Sequence, residues 1–404
     1  MSLLPLIINY NESLIIILVC KNSFFYKLQD ILIYRIFIMY LKSLSLVNFK
    51  NIFQVDINLS ERVNCFIGNN GQGKTNLLDA IYHLSYTKSF FNSMDSQNIM
   101  FDHPFYVIQG NASVHNVDFS LYCGLKRGDK KVFRKNKKVY KKLADHIGNF
   151  PVVMITPYDI NLILEGGDTR RKFLDSIIAQ FDKGYLQYLI QYNKLLKQRN
   201  ALLKIQNNIV SNELMQVYEM QMEEKANFIF EKRNIFVNDF IPLFNRFYKD
   251  ISSNNESVGL DYISALKDSS MKNIFDSNRT KDLILKYTSQ GVHRDDLSFT
   301  IAEHPLKKFG SQGQQKTFLI ALKLAMFEYI KTKKEINPIL LLDDIFDKLD
   351  DHRVGYILNL IEQNKLGQTF ITDTSIKKIP DILNNLNVNH NSFVIESGKA
   401  DIVK

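Results

Sequence analysis

Residues 68–75 combine the residue types that bind phosphate in proteins. Glycines allow consecutive backbone N–H groups to curl around phosphate oxygens, and the start of a following helix adds positive potential. The stretch fits the pattern G-x-x-x-x-G-K-[ST], follows the apolar run 63–67 and precedes a helical pattern. We therefore predict a phosphate-binding loop rather than an incidental glycine-rich turn. The predicted loop residues are Gly68, Asn69, Asn70, Gly71, Gln72, Gly73, Lys74 and Thr75.

Two residues of this loop and two aspartates have predicted chemical roles. Lys74 is expected to reach the β- and γ-phosphates of ATP, and the Thr75 hydroxyl is expected to bind Mg²⁺. The segment PILLLDDIFDKLD at 338–350 has an apolar run that ends in two aspartates, as a buried parallel strand would. We predict that Asp343 holds Mg²⁺ through water and that Asp344 orients or deprotonates the attacking water.

Most of the chain separates the loop from the acidic strand, an arrangement typical of ABC-type ATPases. This class also requires a Ser-Gly signature at the start of a helix shortly before the acidic strand. The segment FGSQGQQKTFLIALKLAMF at 309–327 provides one, with Ser311 as the predicted N-cap and Gly313 allowing close backbone approach. In this architecture Ser311, Gly313 and Gln314 contact nucleotide held by a second subunit. ATP is thus expected to close a homodimer, although the segment alone also fits an ordinary capped helix.

The elements that position these residues are predicted from the spacing of apolar residues. For the first part of the chain we expect strands over 39–67, a helix over 75–86 with Leu77, Leu78, Ile81 and Leu84 buried, and antiparallel strands over 104–140. For the remainder we expect helices over 170–250 with a turn at 206–212, a loop at 250–257, strands near 258–301 and an α/β segment from 311 to about 400.

The predicted fold class is α/β, a P-loop ATPase head of the ABC/SMC type with an inserted, mainly helical lobe. The predicted domains are an atypical N-terminal extension at 1–38, the first half of the ATPase lobe at 39–165, the helical lobe at 166–290 and the second half of the ATPase lobe at 291–404.

The extension at 1–38 has several interpretations. Its apolar run at 13–20 is too short to span a bilayer, which takes about 20 residues. No Lys or Arg precedes Lys21, so a secretory signal is not indicated. An accessory strand or helix, a membrane-surface segment and upstream sequence that is not natively translated all remain open. We favour the last, because Met39 opens a well-patterned strand segment.

Composition and charge narrow the class of protein. The 404-residue chain is 45% hydrophobic and 23% charged, as expected for a globular protein without membrane association. Its net charge of +9 fits a polyanionic partner. The three cysteines, Cys20, Cys65 and Cys123, are far apart and have no CxxC spacing. Neither a disulfide framework nor a zinc site is indicated, and a cytoplasmic location is expected.

The basic charge is concentrated in KRGDKKVFRKNKKVYKK at 126–142, which holds ten basic residues and one acidic. Its alternating pattern predicts a hairpin that presents cations to one side. Such a surface would bind the DNA backbone rather than read bases, although a solvated hairpin face is an equal alternative. The candidate DNA contacts are Lys130, Lys131, Arg134, Lys135, Lys137 and Lys138.

From Met39 onward, the chain resembles the bacterial RecF family, which is related to the SMC ATPases. The resemblance rests on GNNGQGKTNLLDAIY, TPYDINLILEGGDTRRKFLD (156–175), GVHRDDL (291–297), SQGQQK and LLDDIFDKLD, in that order. Val292 departs from the family pattern, in which proline is usual. Thr372 and Asp373 stand where many ABC ATPases carry a histidine that senses the γ-phosphate, which suggests slow hydrolysis.

The resemblance implies a weak, DNA-dependent ATPase of gap repair, replication and the SOS response to DNA damage. RecF proteins bind junctions between single- and double-stranded DNA as ATP-closed dimers. With RecR and RecO they assist RecA loading, and contact with RecR is implied by the family alone. The polarity of the junction, the hydrolysis rate and the RecR-facing surface are not evident from the sequence.

Two other classes remain as alternatives at this point. An ATPase subunit of a membrane transporter is disfavoured, because the helices over 170–250 indicate a lobe and the basic hairpin has no role there. An SMC-type tether needs coiled-coil arms for which the chain has no room.

Overall fold

The computed structural model describes the chain in segments that form two compact units. It describes the backbone of 3–10, 13–20 and 33–36, and residues 38–205, 212–252, 256–346 and 349–403. The first unit comprises Met1–Pro157 and Phe327–Lys404, and the second comprises Tyr158–Met326. Residues 291–326, which the sequence assigned to the ATPase lobe, thus belong to the same unit as the helices. The finer four-part division stays a prediction.

Strands dominate the beginning of the chain, helices its middle, and the two alternate towards its end. The chain begins with β1 (Leu3–Tyr10), β2 (Ser13–Cys20), β3 (Ile33–Ile36), β4 (Met39–Phe49), β5 (Ile52–Asn58), β6 (Val63–Ile67), α1 (Lys74–Tyr86), β7 (Phe105–Val114), β8 (Val117–Lys126), β9 (Val132–Lys135), β10 (Lys138–Val139) and β11 (Val152–Ile155). It continues with α2 (Asn161–Leu164), α3 (Gly167–Phe181), α4 (Lys183–Leu202), α5 (Asn212–Ser252), β12 (Val258–Ile263), α6 (Met271–Leu285), β13 (Asp296–Ile301), β14 (His304–Pro305), α7 (Leu306–Phe309) and α8 (Gln312–Lys334). It ends with β15 (Ile339–Leu342), α9 (Asp351–Glu362), β16 (Thr369–Asp373), α10 (Lys378–Asn385), β17 (His390–Glu396) and β18 (Lys399–Val403).

Among the described residues, three sheets belong to the first unit. Strands β1–β3 form a small antiparallel sheet within the predicted N-terminal extension. An antiparallel sheet has the order β10-β9-β8-β7-β4-β5, and it contains the strands predicted over 39–58 and 104–140. The third sheet has the order β11-β15-β16-β6-β17-β18 and is parallel except at β18. Strand β15 is buried on both faces, as predicted from its apolar run.

The core of the first unit joins helix α1 to both large sheets. The predicted apolar stripe of α1 is fully buried, because residues three and four apart on a helix share one face. Gly110 of β7 allows this close packing, since a Cβ at that position would lie 2.7 Å from a methyl carbon of Leu84. Helix α1 is thereby fixed with its N-terminus directly after the glycine loop that follows β6.

The second unit is built on helices α3, α4 and α5, which confirms the helical prediction for 170–250. Helices α4 and α5 run antiparallel. The pairs Asp182–Lys232 at one end and Arg199–Glu219 at the other show this direction. The predicted turn at 206–212 lies almost entirely outside the described residues. Helix α5 extends to Ser252 and so includes the first residues of the predicted loop at 250–257.

The predicted strands near 258–301 are correct only at the two ends. Strands β12 and β13 pair there, but α6 occupies much of the segment between them. The Ser270 hydroxyl accepts a hydrogen bond from the Asn273 backbone N–H and so caps the first turn of α6. Met271, Ile274 and Phe275 are buried at helical spacing. This short amphipathic helix was missed, because its neighbours carry strand-like alternation.

A buried arginine connects two of the five segments that carry the family resemblance, 156–175 and 291–297. Arg233 of α5 is 1% exposed. Its guanidinium pairs with Asp175 and Asp295, both at 2.8 Å, and donates to the Val292 carbonyl oxygen at 2.7 Å. The backbone carbonyl of residue 292 thus accepts a buried hydrogen bond from Arg233, although valine stands where the family usually has proline.

We expect Arg233→Ala to lower the free energy of unfolding by about 3–5 kcal/mol, because Asp295 would keep a buried carboxylate without its cation. Urea unfolding followed by circular dichroism measures the change. Arg246→Ala is the matched control, since Arg246 lies on the same helix but is exposed. A loss below about 1 kcal/mol for Arg233→Ala would show that this network does not stabilise the unit.

Candidate nucleotide-binding site

All three glycines of the loop between β6 and α1 have positive φ, and Gly71 has φ 80°. Gly68 has φ 147° and Gly73 has φ 113°, backbone conformations that side-chain-bearing residues rarely adopt. A Cβ at Gly68 would lie 2.4 Å from the Ile395 carbonyl oxygen. The loop therefore packs directly against the backbone of β17, and its shape is fixed by the parallel sheet.

The Lys74 side chain is folded into the loop. It is 4% exposed, and its Nζ donates to the carbonyl oxygens of Gly68 at 2.7 Å and Asn69 at 3.1 Å. These two carbonyl groups hold the Lys74 ammonium group at the centre of the glycine loop. A phosphate bound by the loop would replace them as acceptors with stronger, charge-assisted bonds.

Threonine hydroxyls on two different elements hold the predicted metal carboxylate. Asp343 Oδ1 accepts from Thr75 Oγ1 at 2.8 Å, and Thr372 Oγ1 lies 3.1 Å from the same oxygen. Burial raises the pKa of Asp343 to about 6, the hydrogen bond from Thr75 opposes this, and the charge of Asp344 adds to it. A cation beside this carboxylate would compensate for its burial. The pairing of a buried carboxylate with a hydroxyl fits Mg²⁺.

The predicted base occupies the strained position directly after Asp343, the predicted metal ligand. Asp344 has φ 45°, and its backbone N–H donates to Thr372 Oγ1 at 2.8 Å. Asp344 lines the same cavity of about 230 Å³ as the loop. The cavity is lined by Asn70, Gly71, Gly73, Lys74, Thr75, Asn76 and Asp344. The structure thus brings the predicted loop residues and both aspartates together, and their chemical roles stay predictions.

Two supporting residues, Asn51 and Thr372, were missed in the sequence, and Gln72 has a supporting contact that the sequence did not indicate. Asn51 donates through Nδ2 to the Gly71 carbonyl oxygen at 3.1 Å and accepts from Asn76 Nδ2 at 2.7 Å. Gln72, predicted as a ligand, accepts from the Ser397 N–H at 2.6 Å and so ties the loop to the turn after β17. Thr372, noted only for its lack of an imidazole, connects both aspartates. No local pattern marks these roles, because their partners are distant in sequence.

The predicted signature residues lie in the second unit at the start of α8. Ser311 Oγ accepts from the Gln314 N–H at 3.2 Å, and Gln314 Oε1 accepts from the Ser311 N–H at 2.7 Å. This reciprocal arrangement is a capping box, so the predicted N-cap role of Ser311 is confirmed. Gly313 leads into the first turn, where its carbonyl oxygen accepts from Thr317 Oγ1 at 3.0 Å.

The basic segment forms the predicted hairpin, and most of its cations face solvent. Strands β9 and β10 meet at a two-residue turn in which Asn136 and Lys137 both have positive φ. Lys130, Arg134, Lys137 and Lys138 are exposed. Lys135 is half-buried, with its Nζ 4.5 Å from the centre of the Phe119 ring.

Lys131 is an exception to the predicted DNA-contact set. Its Nζ pairs with Asp95 at 2.5 Å and donates to the Thr87 carbonyl oxygen at 2.6 Å. The side chain is 8% exposed. The charge of Lys131 is thus paired within the first unit, and its contact with DNA stays a prediction.

Comparison with known proteins identifies the family. Residues 40–392 match the family described as RecF/RecN/SMC N terminal domain. A protein of Flavobacterium johnsoniae named DNA replication and repair protein RecF is 47% identical over 357 residues, which is 88% of this chain and 99% of that relative. The chain belongs to the RecF family. A RecF protein of the same name from Parabacteroides distasonis is 48% identical over 362 residues, 90% of this chain and 99% of the relative.

Solved structures agree with this RecF assignment. A structure of the recombination mediator protein RecF with ATP, in the RecFOR pathway, has a TM-score of 0.82 at 32% identity and covers 91% of this chain and 100% of that chain. An SMC head domain from Pyrococcus furiosus, bound to the C-terminal domain of ScpA, has a TM-score of 0.53 at 18% identity over 90% of this chain and 96% of that one. The second likeness concerns the fold alone. The predicted RecF resemblance and the α/β ABC/SMC-type head are both confirmed.

The family assignment favours a role in DNA replication and repair over the transporter and tether alternatives. Among the described residues, no helix is both long and apolar enough to cross a membrane.

Proposed function

We propose that this chain is a weak, DNA-dependent ATPase that binds DNA gaps and single-/double-strand junctions as an ATP-closed homodimer. In this proposal it acts in the cytoplasm in recombinational repair and replication, and it assists RecA loading together with RecR and RecO. The ATP-dependent part of this proposal rests on one observation. The Thr75 hydroxyl and the Asp343 carboxylate, far apart in sequence, are hydrogen-bonded at 2.8 Å directly beside the phosphate loop.

The proposed roles of the site residues are derived from their present contacts. Lys74 exchanges two carbonyl acceptors for phosphate oxygens. Thr75 and Asp343 hold Mg²⁺, which neutralises phosphate charge when bound. Asp344 accepts the proton of the attacking water, because this residue lines the cavity that the loop also lines. Thr372 keeps the two aspartates in their relative positions.

The proposed dimer completes each site with groups from another copy of the chain. Ser311, Gly313 and Gln314 of the partner subunit would contact the γ-phosphate. This part of the proposal is supported by the capping box at the start of α8, because the N-terminus of a long helix is a favourable place for an anion. ATP would then act mainly as a dimerisation switch, with hydrolysis separating the subunits.

Fluorescence anisotropy with gapped, single-stranded and blunt duplex DNA tests the proposal, with and without ATP and Mg²⁺. We expect ATP to tighten binding to duplex-containing DNA at least about tenfold, or ~1.4 kcal/mol. Binding to single strands should change less. Equal affinity for all three DNAs, unaffected by ATP, would contradict a nucleotide-closed DNA dimer.

The exposed cations of the hairpin are expected to bind DNA phosphates. Arg134→Ala combined with Lys137→Ala should weaken DNA binding uniformly across sequences. It should also flatten the dependence of log affinity on log salt by roughly 0.9 for each phosphate that is no longer neutralised. Lys272→Ala combined with Lys281→Ala is the matched control, since both lysines are exposed on α6 of the second unit. An unchanged salt slope in the hairpin variant would show that the hairpin is only a solvated surface.

A further inference from the structure

The connection between α5 and β12 places a carboxylate against the proposed signature. Glu256 Oε1 accepts from Gln314 Nε2 at 2.7 Å, and Glu256 Oε2 accepts from the Tyr248 hydroxyl at 3.0 Å. Tyr248 is a core residue of α5 and is 2% exposed. Glu256 therefore connects the buried Tyr248 side chain of α5 to the Gln314 side chain at the start of α8.

The contacts of Gln314 leave its amide with one defined orientation. Its Nε2 is used by Glu256, and its Oε1 is used by the Ser311 N–H. A rotation of the amide would place Nε2 against the Ser311 N–H and Oε1 against the carboxylate, and both contacts would then be repulsive. The Glu256 carboxylate therefore selects the orientation of Gln314 that closes the capping box.

The orientation of Gln314 also affects the Ser311 hydroxyl. Ser311 Oγ accepts from the Gln314 N–H, so the hydroxyl hydrogen is directed elsewhere. Among the described residues, that hydrogen has no acceptor. It can be donated to a ligand at the start of α8, provided that the capping box keeps Ser311 in this rotamer.

We propose that Glu256 is a positioning residue for the ATP-closed dimer. It acts through Gln314 to hold Ser311 ready to donate to nucleotide bound by another copy of the chain. The chain of contacts runs from Tyr248 through Glu256 and Gln314 to Ser311, and all four residues belong to the second unit. This inference rests on the proposed function, because Ser311 meets phosphate only in the dimer.

The role requires a hydrogen-bond acceptor at position 256 rather than a negative charge. A glutamine there can accept from Gln314 Nε2 through its amide oxygen and can donate to the Tyr248 oxygen through its amide nitrogen. An alanine can do neither. The pair Glu256→Ala and Glu256→Gln therefore separates loss of positioning from loss of charge.

The test measures ATP-dependent dimerisation by analytical ultracentrifugation, together with nucleotide affinity of the monomer. We expect Glu256→Ala to weaken dimerisation about tenfold, because preorganisation of two symmetry-related sites is lost. Glu256→Gln should restore it to within about twofold of the unaltered protein. Monomer affinity for ATP should be unchanged in both variants, since the phosphate loop belongs to the first unit.

Hydrogen exchange of the monomer gives a second measurement that does not depend on dimerisation. The Ser311 and Gln314 amides should exchange faster in Glu256→Ala and at the normal rate in Glu256→Gln. Tyr248→Phe, which keeps the ring in the core, should produce a smaller change in the same direction.

Several results would overturn the inference. Normal dimerisation of Glu256→Ala would show that Glu256 does not position the signature. Tighter dimerisation of both variants would show that the carboxylate competes with phosphate. Failure of the unaltered protein to dimerise with ATP would overturn the proposed function as well, whereas unchanged exchange at Ser311 in Glu256→Ala would overturn the positioning role alone.

Discussion

Replacing Lys74 by alanine is expected to abolish ATP binding while leaving the protein folded. Lys74 is the cation at the centre of the loop, where its Nζ contacts two backbone carbonyls. Each charge-assisted bond to phosphate contributes roughly 1.5–3 kcal/mol. Loss of the ammonium group should therefore reduce nucleotide affinity at least about 100-fold, or ~2.7 kcal/mol. Titration with a fluorescent ATP analogue measures the change.

The appropriate control for this variant is an exposed lysine of the same unit. Lys130→Ala should leave ATP affinity unchanged, because Lys130 is exposed and lies in the basic segment rather than at the cavity. Thermal unfolding of Lys74→Ala should still show a cooperative transition, since the loop glycines and the packing of α1 do not depend on the ammonium group. Normal ATP affinity in the folded Lys74→Ala variant would remove the phosphate-loop assignment.

Replacing Asp344 by asparagine should separate ATP binding from hydrolysis. The amide cannot accept the proton of the attacking water, and general-base catalysis typically contributes 10²–10⁴-fold. Turnover should fall by about that factor, whereas ATP affinity should change less than about threefold. The backbone N–H of residue 344 would still reach Thr372, so the local geometry should survive.

The same variant makes a prediction about the dimer. With hydrolysis blocked, Asp344→Asn should persist as an ATP-bound dimer in size-exclusion chromatography, whereas the unaltered protein should return to monomers as ATP is consumed. Asp401→Asn, an exposed carboxylate on β18, is the matched control and should behave normally. Full ATP turnover by Asp344→Asn would place the catalytic base elsewhere.

The parts of the fold and site that were predicted correctly have signals within one short segment. The loop between β6 and α1 combines glycine spacing with an apolar run before it and a helical pattern after it, and its phosphate-binding role stays a prediction. The Ile339–Leu342 strand is uninterrupted apolar sequence that ends in Asp343, and Ser311 lies three residues before Gln314 as a capping box requires. Backbone conformation and local hydrogen bonding depend on near neighbours, so these features follow from the sequence alone.

Local sequence patterns gave incomplete predictions where neighbouring elements or distant residues determine the structure. Helix α6 lies between two strands whose alternation extended the strand prediction across it. Lys131 belongs to a run of cations that the sequence presents as equivalent, yet Asp95 neutralises its charge within the fold. A charge pattern gives the total charge of a segment. It does not show which side chains find a buried acceptor.

The sequence by itself determined the ATPase class, the family resemblance and the identities of the loop lysine and the two aspartates. Only the tertiary structure showed that Thr372 connects those aspartates, that Asn51 supports the loop and that Arg233 joins Asp175 to Asp295. The physical reason is that hydrogen bonds and ion pairs act over about 3 Å, whatever the number of residues between the partners. Parallel strands and packed helices bring such partners together. The spacing of residues along the sequence does not give the distance between two partners in the folded chain.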